Sequence, residues 1–186
     1  MANIDNPRGL VPYGNLLRTT EYTLSSGYAQ NLFIGDPVIA NGTNRDVIIC
    51  TEGTTNKVLG AIVGIYDVNK VPLAYWPTGN TGIGYVTVAD HPDQLFVIQE
   101  DAVGANFDIN ACNGNVNLES ATAGSTVNYR SGWELDSSDT PGATAGDQIR
   151  LVKPLNVENN AIGANCAWIC RINNHQAAAG IVGAGV

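Results

Sequence analysis

Apolar positions in this chain come in short runs, and nowhere do they recur with helical spacing over a dozen residues. β-Branched and aromatic residues cluster instead, cut at frequent intervals by Gly, Pro, Asn and Asp. The pattern predicts strands at Glu21–Leu24, Pro37–Ala40, Asp46–Thr51, Lys57–Tyr66, Pro72–Trp76 and Gly84–Ala89. It predicts further strands at Gln94–Glu100, Asn115–Glu119, Gly132–Leu135, Gln148–Lys153 and Ala167–Ile172. Asn41-Gly42 and Asn113-Gly114 carry the residues of type I′ hairpin turns. Gly60 and Gly64 fall inside a strand pattern, where they signal a bulge or a close backbone approach. The fold class is all-β, a single jelly-roll, sandwich or barrel-like domain.

The two ends break this pattern. Residues 1–19 hold the turn-formers Asn6-Pro7, Val11-Pro12 and Tyr13-Gly14-Asn15 with little alternation, so they read as an extended N-terminal arm. Residues 20–176 form the β domain. Within it, 117–147 is a loop-rich insertion of Ser, Thr, Ala and Gly, and its Trp133 is expected to anchor it to a core or a neighbouring subunit. Residues 177–186, AAAGIVGAGV, make an apolar C-terminal tail of small residues, either frayed or a docking arm.

Charge narrows the choice of partner. Only 14% of residues are charged, against roughly 25% in ordinary soluble domains. The net charge is −8, and the nine basic residues are scattered. Nucleic-acid binding rests on Lys and Arg replacing phosphate counterions, so it is disfavoured. Anchoring to an acidic membrane surface is disfavoured for the same reason. No stretch reaches the roughly 18 apolar residues of a membrane helix, and no signal-peptide pattern opens the chain. Synthesis and retention in a cytoplasm are therefore expected, with Cys50, Cys112, Cys166 and Cys170 free and buried. Asn41-Gly42-Thr43, a formal glycosylation sequon, then reads as a turn.

Candidate chemistry is sparse. No serine sits in a nucleophile elbow, and no glycine-rich phosphate loop is present. Asp139-Thr140-Pro141-Gly142 only approximates an aspartic-protease loop. Cys166 and Cys170, with His175 following, have spacing that zinc tolerates, but CAWIC fits a strand with Cys166, Trp168 and Cys170 on one face. The segment ADHPDQLFVIQED (89–101) gathers His91 and four acids. It reads as an Asp-Pro turn feeding a strand that is buried on both sides or lies at a subunit contact, with Glu100 and Asp101 in the next loop. No catalytic residue, cofactor or metal is expected.

The order of motifs points further. NPRGLVPYGN (6–15) is followed by SSGYAQNLFIGDPVIA (25–40), VLGAIVGIYD (58–67) and AYWPTGNTG (74–82). VADHPDQLFVIQED (88–101), DQIRLVKPLN (147–156) and AWICRINNHQ (167–176) complete the series. In this order and spacing the chain resembles the capsid decoration, or cement, proteins of tailed bacteriophages. The likeness spans most of the chain and lapses across 102–146. It implies an all-β virion protein on the capsid exterior, made in the host cytoplasm. Such a protein bridges neighbouring copies of the major capsid protein, as a homotrimer, without enzymatic activity. Asn6, Pro7, Arg8, Leu10, Val11, Pro12 and Tyr13 are the expected capsid-binding arm; Tyr75, Trp76 and Trp133 are the expected subunit-interface aromatics.

Three alternatives are set against this reading. One is another virion module, such as a head fibre or tail component, though no fixed repeat of a tail-spike is visible. The second is a carbohydrate-binding β-sandwich, with Tyr75, Trp76 and Trp133 forming a sugar platform. The third is a small hydrolase using the carboxylates of 89–101.

Overall fold

The computed structural model describes residues 3–42, 45–120 and 124–178. Its strands are β1 (Val11–Tyr13), β2 (Thr19–Leu24), β3 (Leu32–Phe33), β4 (Pro37–Asn41), β5 (Asp46–Ile49), β6 (Gly60–Tyr66) and β7 (Tyr75–Trp76). They continue as β8 (Gly84–Ala89), β9 (Leu95–Gln99), β10 (Asn115–Val116), β11 (Leu118–Glu119), β12 (Glu134–Leu135), β13 (Ile149–Pro154) and β14 (Ala167–Ile172). One 3-10 turn, Ile109–Ala111, interrupts them, and the described residues contain no α-helix. The chain is all-β, as its alternation requires.

Five strands close into a barrel in the order β2-β5-β4-β6-β8. Neighbours are antiparallel except at the closure, where β2 runs parallel to β5 through Thr23 and Asp46. There the Thr23 hydroxyl donates to one Asp46 carboxylate oxygen, and Ser25 Oγ donates to the other at 2.9 Å. Alternation along the strands sends Leu24, Val38, Val47, Ile62, Ile65, Val86 and Val88 into the barrel core. Trp76 joins them from β7, and Gly84 leaves room for its ring, since a Cβ there would lie 2.4 Å from the indole. Both glycine expectations hold in β6. A bulge separates Ile62 from Gly64, and a Cβ on Gly60 would meet the Ala89 carbonyl at 2.2 Å.

The second layer is an antiparallel sheet in the order β1-β9-β14-β13-β10. Its inner face, including Phe96, Ile98, Ile149, Leu151, Trp168 and Cys170, packs in one core with Val58, Ala61 and Ala89 from the barrel wall. Cys166, Trp168 and Cys170 all point into that core, and Cys50 lies there too, while Cys112 is half-buried.

The Asn-Gly pairs divide. β4 and β5 do form a hairpin, but Asn41 pairs with Asp46 inside it and, of the pair, only Gly42, at φ 72°, is left-handed. The connection is therefore longer than the expected two-residue type I′ turn, and Thr43 of the sequon lies outside the described residues. Asn113-Gly114 is not a hairpin. Its N–H and C=O both bond Leu151 across the sheet, at 2.9 Å each, so the positive φ at Asn113 only turns the chain out of the 3-10 turn. The 117–147 stretch is loop-rich apart from the β11–β12 pairing, and residues 121–123 lie outside the described set. Of the C-terminal tail, residues 179–186 lie outside it as well.

Candidate functional site

The N-terminal segment is extended, but it lies on the domain as part of it. β1 forms the edge of the second sheet, pairing Val11 with Val97 and Tyr13 with Leu95. Pro12 can sit there because an edge strand need not donate outward. Upstream, Asn6 N–H donates to Gln99 Oε1 at 3.1 Å, and its side-chain oxygen accepts from the Arg130 guanidinium. Gly9 and Gly35, at φ 66° and 97°, cross in contact; a Cβ on Gly35 would come 2.0 Å from the Arg8 carbonyl. Leu10 N–H donates to Gly35 O at 2.8 Å, and the Leu10 side chain is fully buried. Downstream, Arg18 Nε donates to Asp90 at 2.8 Å, and Tyr22 OH donates to the other carboxylate oxygen at 2.8 Å. Burial pushes the Asp90 pKa up, but these two bonds outweigh it and leave the group below the ordinary value.

Of the seven arm residues, Leu10 is therefore a core residue and cannot touch a partner. Asn6, Pro7 and Pro12 are half-buried, and Arg8, Val11 and Tyr13 are exposed. The same segment exposes apolar residues that the sequence reading passed over. Ile4 is 80% exposed, Leu16 and Leu17 are 51% each, beside Val11 at 40% and Tyr13 at 41%. The signal was available: apolar residues between turn-formers, with no alternation to bury them.

The three aromatics separate. Trp76 is completely buried in the barrel and Trp133 is buried in the core under the sheet, so neither is an exposed interface anchor. Their size and the apolar space at both layers decide this. Only Tyr75 reaches the surface, stacked between Phe33 at 5.5 Å and Tyr129 at 5.6 Å. The three do not share an exposed face, which removes the proposed sugar platform. Tyr75 and Tyr129 instead border a groove of about 500 Å³ with Val68, Leu73 and Ile83. A larger open cleft, about 980 Å³, is lined by Tyr28, Phe33, Asp36, Cys50, Glu52 and Trp133.

In 89–101, the turn expectation holds: Gln94 N–H bonds His91 O at 3.0 Å, and Asp93 N–H bonds His91 Nδ1 at 3.1 Å. Phe96 and Ile98 face the core, while Leu95 and Val97 are half-buried. Glu100 and Asp101 follow the end of β9 at Gln99, as expected, but that stretch is buried rather than open to solvent. Glu100 bridges to Leu135 and Asp101 N–H donates to Leu135 O at 3.0 Å, which carries both carboxyls under the 134–137 segment. Glu100 is wholly buried, and desolvation raises its pKa to about 7 despite the Phe107 N–H at 3.0 Å. Asp101 accepts from Ser137 N–H at 2.9 Å.

Glu119 and Glu134 face each other in the β11–β12 ribbon beside Asp101. Burial first, then the neighbouring Asp101, pushes Glu119 up to about 8. Burial, then Asp5 and Asp101, pushes Glu134 up to about 7. Sequence reasoning missed this convergence because the acids come from three separate segments. The mirrored pairs Leu118-Glu119 and Glu134-Leu135 were the available clue.

Searches of protein-family models, curated proteins and solved structures found no match to this chain.

Proposed function

We propose that the chain is a virion structural protein. It binds the outer surface of an assembled phage capsid as a homotrimer and stabilises the shell by bridging major capsid subunits. The order of its motifs supports this reading. The observation that carries it is the N-terminal edge of the second sheet, where Ile4, Val11, Tyr13, Leu16 and Leu17 expose large apolar side chains within one short segment. Apolar side chains held on an ordered edge lose little freedom on docking, so they suit adhesion more than catalysis. Each contact can be weak, because three such edges on one trimer raise the effective concentration of the others. The exposed groove beside Tyr75 and Tyr129 serves as the trimer seam in this reading.

The test is co-sedimentation of the purified protein with undecorated capsid shells. Deleting the segment is a poor test, because Leu10 belongs to the core. The double substitution Leu16→Ser with Leu17→Ser alters only exposed side chains and should weaken shell binding at least tenfold while leaving the unfolding midpoint unchanged. Failure of the wild-type protein to pellet with shells overturns the decoration reading. Equal pelleting by the variant removes the edge as the contact surface.

A further inference from the structure

Among the described residues, Asp101, Glu119 and Asp136 each offer a carboxylate oxygen, and these atoms all lie within 4.8 Å of one another. Oxygens bound to a common calcium at about 2.4 Å cannot be farther apart than about 4.8 Å, so the spacing fits one shared ion. A fourth carboxylate, Glu134, lies beside this group in the ribbon but outside the 4.8 Å set. Leu118 and Leu135 pair with their side chains in the core, so alternation turns Glu119 and Glu134 to the other face, and Asp136 returns to it two residues later. Glu134 is only 5% exposed, and its Oε1 is buried without a donor.

Two further buried oxygens, Asp101 Oδ2 and Glu119 Oε1, are likewise reached by no donor beyond a proton shared between those two carboxyls. The two ion pairs among the described residues, Arg18–Asp90 and Lys70–Glu21, lie elsewhere, so no Lys or Arg neutralises this group. Buried carboxylates are ordinarily paired with a cation or bound to a metal.

We propose that Asp101, Glu119 and Asp136 form a calcium site, with the buried, donorless Glu134 beside them. The donor set is all hard oxygen, with no Cys or His, which disfavours zinc. A cluster of carboxylates drawn from three separate segments suits the geometrically tolerant Ca2+ better than Mg2+, which demands near-ideal octahedral placement. The ion would also shield Glu134 from Asp5, whose charge raises its pKa from the N-terminal segment. It would thereby help hold that segment on the domain. This inference does not depend on the decoration reading.

The test uses the full chain, stripped with a chelator and dialysed. Calorimetric titration with CaCl2 should show one ion per chain and a much weaker response to MgCl2. Addition of 1 mM CaCl2 should raise the thermal midpoint by about 5 °C relative to chelator. Asp136→Asn keeps the oxygen that accepts from Ser138 N–H at 2.8 Å, so it should fold, yet bind Ca2+ at least tenfold more weakly and lose the midpoint shift. Glu119→Gln should behave the same way and provides a second, independent variant. Two results overturn the site: no heat and no shift in the wild type with Glu119→Gln simply more stable, which assigns the cluster to a shared proton, or undiminished Ca2+ binding by both variants.

Discussion

The barrel and the sheet beside it are held together by different means. The barrel core is almost purely aliphatic, with Leu24, Val38, Val47, Ile62, Ile65, Val86 and Val88 around Trp76. The sheet half buries polar side chains in number: Glu100, Asn115, Asn117, Glu134, Asp147, Gln148, Asn173, Asn174 and His175 are each less than a tenth exposed. Many of these act as backbone substitutes where the chain leaves regular pairing. Gln148 accepts from Leu118 N–H at 3.1 Å and donates to Thr51 O at 2.8 Å. Asn173 donates to the carbonyls of Ala145 and Asp147 at 3.0 and 2.9 Å. The barrel satisfies most of its backbone through its own ladders, with Gln176 bonding both Ala40 N–H and C=O where β4 leaves β6. A sheet flanked by long irregular loops needs side chains to do so. The first construction depends on volume and shape, whereas the second depends on particular polar atoms.

That contrast can be broken in stages. The largest effect is expected from Trp76→Ala, which empties the most voluminous site in the barrel and should cost about 4 kcal/mol in urea unfolding. Gln148→Met comes next. It keeps volume but strands the Leu118 N–H and the Thr51 carbonyl, and should cost about 3 kcal/mol.

The third test uses pH. Asp36 is buried just before β4, accepting from Phe33 N–H at 2.8 Å, and desolvation raises its pKa to about 6. Its folded value exceeds the unfolded one. Its contribution is therefore fully present below the ordinary Asp range near pH 4 and is lost as pH rises through about 6. Asp36→Asn should remove a slope worth on the order of 2–3 kcal/mol between pH 4 and 7. His175 runs the other way: burial lowers its pKa, so its share is present above the ordinary His value and lost as pH falls. The difference between wild type and Asp36→Asn across a series of urea titrations isolates the Asp36 effect.

The smallest expected effect is that of Leu24→Met in the barrel, below about 1.5 kcal/mol because volume is conserved and no polar atom is stranded. If it matches Gln148→Met, the distinction between the two halves fails.

The same division explains what the sequence made legible. Strands such as Gly84–Ala89 and Ala167–Ile172 are found at the expected residues because alternation and burial are written locally. β1 went unread because Pro12 sits at its centre and its pairing is with β9, far along the chain. β3 went unread because two residues carry no period. Asn113-Gly114 misled because the preference for positive φ is local, while the partner of β10 is β13. The acidic cluster was illegible for a related reason: nothing near Asp101 indicates that Glu119, Glu134 and Asp136 will fold against it. Trp76 was expected at a subunit interface because it lies in loop-like sequence, yet the fold carries it inward; for Trp133, of the two anchorages expected, the core is the one found.

Pro12 has one more consequence. All-β proteins risk endless growth, in which the bare edge of one molecule templates the next. Here the barrel has no edge. One rim of the sheet carries a proline at its centre. The other rim is the two-residue β10, where Asn115 N–H and C=O are already taken by Gly142 at 2.8 and 3.1 Å. Among the described residues, neither rim of the five-stranded sheet offers a free ladder from which fibril-like stacking could begin. Any contact made at these two rims would have to run through side chains rather than through added ladder rungs.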